Sequence, residues 1–76
     1  MMLERKVFAE RLRQLRKSRG MLQKTLSHEL GISFQALSMM ETAERWPSIE
    51  ILAAIADFFE VSTDYLLGRC DDPDRR

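Results

Sequence analysis

An all-α fold is predicted for this chain by three observations. Apolar residues recur at three- and four-residue spacing, only three Gly and two Pro are available to punctuate hairpins, and β-branched residues are sparse. At 76 residues the chain holds one compact domain, so any function must sit on a single small surface. With 45% hydrophobic and 32% charged residues, it has the balance of a folded globule rather than of a disordered or fibrous chain.

Each helix has its own signal. Phe8, Leu12 and Leu15, preceded by Leu3 and Val7, lie at helical spacing, and the run stops at Gly20, which tolerates a left-handed backbone. A first helix is therefore expected over about residues 4–18. Leu26 and Leu30 mark a second, from Gln23 to Leu30, closed by Gly31 with apolar Ile32 just beyond. Ser33 is a fresh N-cap for a third helix, which carries Leu37 and Met40 on one side and runs to about Thr42. Pro47 and Ser48 stop and restart the chain before a fourth, about 49–59, expected to bury Ile49, Leu52, Ile55, Ala56 and Phe59. Ser62 caps a short last helix with Tyr65, Leu66 and Leu67 before Gly68, and the tail 69–76, RCDDPDRR, is expected to be loose. Helices this short are marginal alone, so all five must close on one shared core. There is no internal repeat, low-complexity tract or second domain, and residues 1–76 read as one unit.

Several function classes drop out. The N-terminus, MMLERKVFAERL, is charged where a signal peptide needs an apolar run, and no stretch approaches the roughly 18 apolar residues of a membrane span. A cytoplasmic protein without membrane association is expected. A lone Cys70 makes no internal disulfide, and with only His28 beside it there is no metal constellation. No nucleophile with a base, metal-linked carboxylate pair or glycine-rich phosphate loop is present, so neither an enzyme nor a cofactor is expected.

The net charge of zero hides an uneven distribution. Residues 1–20 carry seven Lys/Arg against two Glu, residues 21–48 two against three, and residues 49–76 three against seven. The basic segment can present a positive face to a polyanion; equally, the two signs can be solvated faces of a helical bundle.

The most informative feature is a pair of short helices joined by the three residues GIS. So tight a connection sets the second helix steeply against the first and lets it protrude, as a helix entering the DNA major groove must; small Ser27 and Gly31 allow the close packing. The same helix pair also occurs in purely structural bundles. Three stretches add to this: FAERLRQLRKSRG, LQKTLSHELGISFQALSMME and PSIEILAAIADFFEVSTDYLLG. Together, over Phe8 to Gly68, they resemble the Cro/CI-type (Xre-like) helix-turn-helix regulators, with motif positions on Gln23, Ser27, Gly31, Leu37 and Met40. The resemblance implies a phage-repressor-like five-helix domain, with the motif at about 23–42, binding double-stranded DNA as a homodimer to control transcription.

Residue by residue, the resemblance places Gln23 at the phosphate-holding start of the second helix, where free amides and the helix dipole attract anions. Phe34, Gln35 and Met39 fall where side chains face base edges, and Ser33 and Ser38 where they reach backbone or bases. Gln35 has the clearest chemistry, since its amide can pair bidentately with adenine, although a solvated surface Gln is the plain alternative. Arg16 and Glu41 fall where the family has an ion pair between the first helix and the end of the recognition helix.

Some positions depart from the pattern. Leu22 replaces the usual N-cap Ser, and Ala43 and Glu60 replace the glycines common after the third and fourth helices, so either non-Gly residues become left-handed or the turns differ. Phe34 and Met39 put apolar groups on a reading face with few cations beyond Lys24 and Arg45. Trp46 reads either as an indole donor to phosphate or as a packed aromatic lid. Ile51, Ala54 and Phe58 form a second apolar line on the fourth helix, either a dimer face together with Tyr65 and Leu66 or a surface covered from within the chain.

The expectation is a sequence-specific DNA-binding regulator, a repressor dimer on a near-palindromic operator. The rivals are a protein-interaction module whose Phe34, Met39 and Trp46 grip an unknown protein partner, and an antitoxin-type regulator.

Overall fold

The computed structural model describes residues 3–74, which fold into α1 (Arg5–Ser18), α2 (Gln23–Leu30), α3 (Phe34–Glu41), α4 (Ile49–Phe59) and α5 (Thr63–Leu66). Three of the five starts are capped as the serines predicted. Ser33, Ser48 and Ser62 accept hydrogen bonds from the amides of Ala36, Ile51 and Tyr65 at 3.0, 3.2 and 3.0 Å. α1 and α2 begin at Glu4 and Leu22 without a side-chain cap.

All five helices end the same way, with a left-handed residue followed by an amide that donates to the carbonyl five residues back. The left-handed residues are Gly20, Gly31, Ala43, Glu60 and Gly68. Ala43 (φ 64°) and Glu60 (φ 57°) thus keep the glycine geometry instead of altering the turn, at a cost of about 1 kcal/mol each relative to Gly. Gly68 has a second reason to be glycine, because a Cβ there would sit 3.0 Å from Val7 Cγ1 and wedge α5 away from α1.

The core is drawn from every helix: Phe8 and Leu12, Leu26 and Leu30, Leu37 and Met40, Ile55, Ala56 and Phe59, then Val61 and Leu66. Each of these side chains larger than Ala contributes about 1.5–3 kcal/mol on burial, which the isolated helices could not gather. α3 packs on α1 and α2, α5 on α1 and α4, and α2 on α4. Ile49 does not join this core and is 84% exposed. As the first residue of α4 its side chain tilts toward the helix N-terminus, beyond the protein body.

The described part of the tail is hydrogen-bonded to the body of the domain. Arg11 Nη1 donates to the Tyr65 carbonyl and to the Cys70 carbonyl at 2.7 Å, and Nη2 to Asp71 Oδ1 at 2.7 Å. The Ser62 amide donates to the Pro73 carbonyl at 3.1 Å. These bonds join residues far apart in sequence, which periodicity cannot register; Arg75 and Arg76, also assigned to the tail, lie outside the described residues.

The arginines of residues 5–19 are engaged inside the molecule. Arg5, Arg11, Arg13, Arg16 and Arg19 all donate to protein acceptors, and only Lys6 and Lys17 of the seven cations make no such bond among the described residues. Of these arginines, only Arg11 and Arg16 are paired with carboxylates among the described residues; Arg5, Arg13 and Arg19 donate to backbone carbonyls and keep their charge.

Candidate nucleic-acid interface

α3 is held from behind and open in front. Leu37, Met40 and Glu41 are buried, and 100° steps around the helix place Gln35, Ser38 and Met39 on the opposite side. Gln35 is exposed, Ser38 and Met39 are half-buried, and Phe34, at the edge of this face, is 54% exposed. Phe34 and Met39 consequently flank the two polar side chains instead of merging into one apolar patch. Ser33 spends one acceptor site on its cap and is exposed beside them.

Behind this face lies Glu41, 2% exposed although charged. Arg16 grips its carboxylate with two bonds, Nε to Oε2 at 2.7 Å and Nη2 to Oε1 at 3.0 Å, and gives Nη1 to the Met21 carbonyl at 2.7 Å. The Arg16 side chain is itself only 11% exposed, so this is a buried bidentate pair. Arg13 Nη1 donates to the Glu41 carbonyl at 2.8 Å, and Arg5 Nε to the Ala43 carbonyl at 3.0 Å. Arg5 and Arg13 were not among the residues singled out by the sequence. The spacing of Arg13 and Arg16 on one helix face was the available signal, but exposed arginines look the same.

Gln23 lies at the mouth of this arrangement. Its Nε2 donates to Glu41 Oε1 at 3.0 Å, so one amide hydrogen is already engaged and one remains for an outside acceptor. Around it, α2 starts at exposed Leu22 with no side-chain acceptor for its first amides, and Lys24 is exposed. Arg45 is exposed in the loop after α3. Trp46 beside it is half-buried with its ring 5.7 Å from that of Phe8, tilted by 41° and packed on the core. That is the lid arrangement, and it runs against a purely phosphate-facing indole.

The second apolar line is largely occupied from within. Ile51, Ala54 and Phe58 are half-buried against the core, and Arg19 lies 5.5 Å from the Phe58 ring centre while donating to the Phe58 carbonyl at 3.0 Å. Leu66 is fully buried and cannot form a dimer face; it is a core residue. Tyr65 is half-buried with the Arg11 guanidinium 4.2 Å from its ring centre. Periodicity marked these residues as apolar but could not tell an inner stripe from an outer one on so short a helix.

No helix of the described residues is long and apolar enough to cross a membrane, and those residues hold no group of three or more potential metal ligands. A helix-turn-helix family model matches residues 12–66. The chain is 35% identical over 68 residues to the uncharacterized HTH-type transcriptional regulator YobD of Bacillus subtilis (strain 168), covering 90% of this chain and 61% of that protein. It is 40% identical over 60 residues to the cryptic phage CTXphi transcriptional repressor RstR of Vibrio cholerae, covering 79% of this chain and 54% of the relative. It thus spans only a little over half the length of these relatives. Among solved structures, the P22 c2 repressor in complex with a synthetic operator superposes with a TM-score of 0.77 at 36% identity, covering 80% of this chain and 92% of that one. With well over half of its length matched and the Arg16–Glu41 mount set behind an open third helix, the chain belongs to the Cro/CI-type helix-turn-helix family.

Proposed function

We propose that this chain is a sequence-specific DNA-binding transcriptional regulator, a repressor that binds a near-palindromic operator as a homodimer. The observation that carries this reading is the face of α3: a base-competent Gln35 and Phe34 stand exposed, with Met39 half-buried beside them, on a helix whose opposite side is anchored by a buried ion pair. Phosphates are met by the uncapped start of α2, the second amide hydrogen of Gln23, Lys24 and Arg45. The P22 c2 repressor supports the reading through its operator complex. Such a protein acts in the cytoplasm with the DNA, and nothing in its chemistry calls for catalysis or a cofactor.

Size supports a dimer. The Cα trace of the described residues spans 31 × 23 × 21 Å and presents one exposed recognition helix, so two half-sites roughly 34 Å apart call for two copies. Of the candidate contacts, Ile51 and Phe58 keep part of their surface and Tyr65 an edge. The test is selection from random duplex DNA with the purified chain at stated salt. A symmetric site with half-sites about 10 bp apart is expected. Failure to enrich any site, with a protein captured through Phe34 and Met39 instead, would favour the interaction-module reading.

A further inference from the structure

The end of α3 needs more than its own turn to satisfy it. The carbonyls of Ser38, Met39 and Met40 accept from the amides of Thr42, Glu44 and Ala43, which completes the six-residue closing motif. The carbonyls of Glu41 and Ala43 lie beyond that motif, and α3 has no basic residue in its last turn to offset the negative end of its dipole. Both carbonyls are taken by α1: Arg13 holds that of Glu41 and Arg5 that of Ala43. Arg5 thereby ties down a turn whose left-handed residue is alanine rather than glycine.

We infer that Arg13, assisted by Arg5, is a positioning residue for operator reading: it anchors the main chain of the recognition helix to α1, separately from the Arg16 grip on the Glu41 side chain. The distinction is mechanical. The Arg16 grip reaches α3 only through the rotatable bonds of the Glu41 side chain, whereas Arg13 meets the Glu41 carbonyl and adds a second point of attachment on the backbone itself, which limits pivoting about the first. Arg13 is half-buried and Arg5 exposed, so Arg13 carries more of the restraint. The inference rests on the DNA-reading assignment above, because positioning has meaning only if α3 meets bases.

The test uses the full chain, the operator returned by selection, and the variants Arg13→Gln, Arg13→Lys and Arg13→Gln with Ala43→Gly. Each is first shown by circular dichroism to be folded at the assay temperature. For Arg13→Gln, amide exchange in free protein should rise roughly tenfold at residues 41–44 relative to the core, as expected for loss of a charged hydrogen bond. Operator affinity should fall by a similar factor and discrimination against single-base variants should narrow. The slope of log affinity against log salt should stay unchanged, since Arg13 meets no phosphate. Arg13→Lys should restore part of the discrimination, and Ala43→Gly, which removes the left-handed strain, part of the exchange protection. A slope reduced by about one per arginine would make Arg13 a phosphate contact and overturn the inference. Unchanged exchange and unchanged discrimination in a folded Arg13→Gln variant, with wild-type binding intact, would overturn it while leaving the DNA assignment standing. Absence of any operator for the wild type would overturn both.

Discussion

Glu41 accepts four hydrogen bonds, two from Arg16, one from Gln23 and one, at its carbonyl, from Arg13. An exposed ion pair would be worth at most about 1 kcal/mol, but stranding one partner of a buried pair costs about 3–5 kcal/mol. Glu41→Ala and Arg16→Ala should each therefore destabilise by several kcal/mol, and the double variant by clearly less than their sum. Urea denaturation of the four proteins measures the coupling, expected at about 1–3 kcal/mol; a value near zero would reduce the two residues to neighbours. The pair was legible in the sequence through its place in the motif. Arg13 and Gln23 as its companions were not, since a polar residue on a helix surface carries no mark of the carbonyl or carboxylate it will meet.

Helix boundaries were the most legible elements, because serine caps and glycine ends are local chemistry written within three or four residues. Where glycine was missing, at Ala43 and Glu60, the sequence left two geometries open, and the retained left-handed φ decides between them. Glu60→Gly should then raise stability by about 1 kcal/mol with the fold unchanged, visible as a shifted denaturation midpoint at constant slope. A destabilised variant would mean that the Glu60 side chain compensates its strain. The outer face of α3 was legible in residue type but not in geometry: Phe34 sits at the margin of the reading face and Met39 is half-buried within it. Apolar groups there suit a thymine C5-methyl, so half-sites should be A·T-rich. Met39→Ala should relax one thymine preference at a cost on the order of 1 kcal/mol. Uracil at that position should weaken wild-type binding by a similar amount, and equal binding of uracil and thymine operators at every position would exclude methyl reading.

At the scale of the whole molecule, the charge asymmetry was visible in the sequence but its purpose was not. The arginines of α1 and of its C-cap are internal fastenings of the fold, joining it to α3, through Arg19 to the α4 end and, through Arg11, to the acidic tail. With Lys24 and Arg45 as the proposed phosphate contacts, the salt slope should be shallow, about two phosphates per chain. Titration of operator affinity between low and physiological salt checks this, and a slope of about −8 or steeper for the dimer would bring the cations of residues 5–19 onto the DNA as well. The central claim is that two copies read DNA through the exposed face of α3. It is tested most directly by binding wild-type and Gln35→Ala proteins to every single-base variant of the selected operator. Gln35→Ala should lose discrimination at one adenine position in each half-site, symmetrically placed about the centre, with the other preferences intact. A uniform loss across all positions, or a change confined to one half of an asymmetric site, would contradict it.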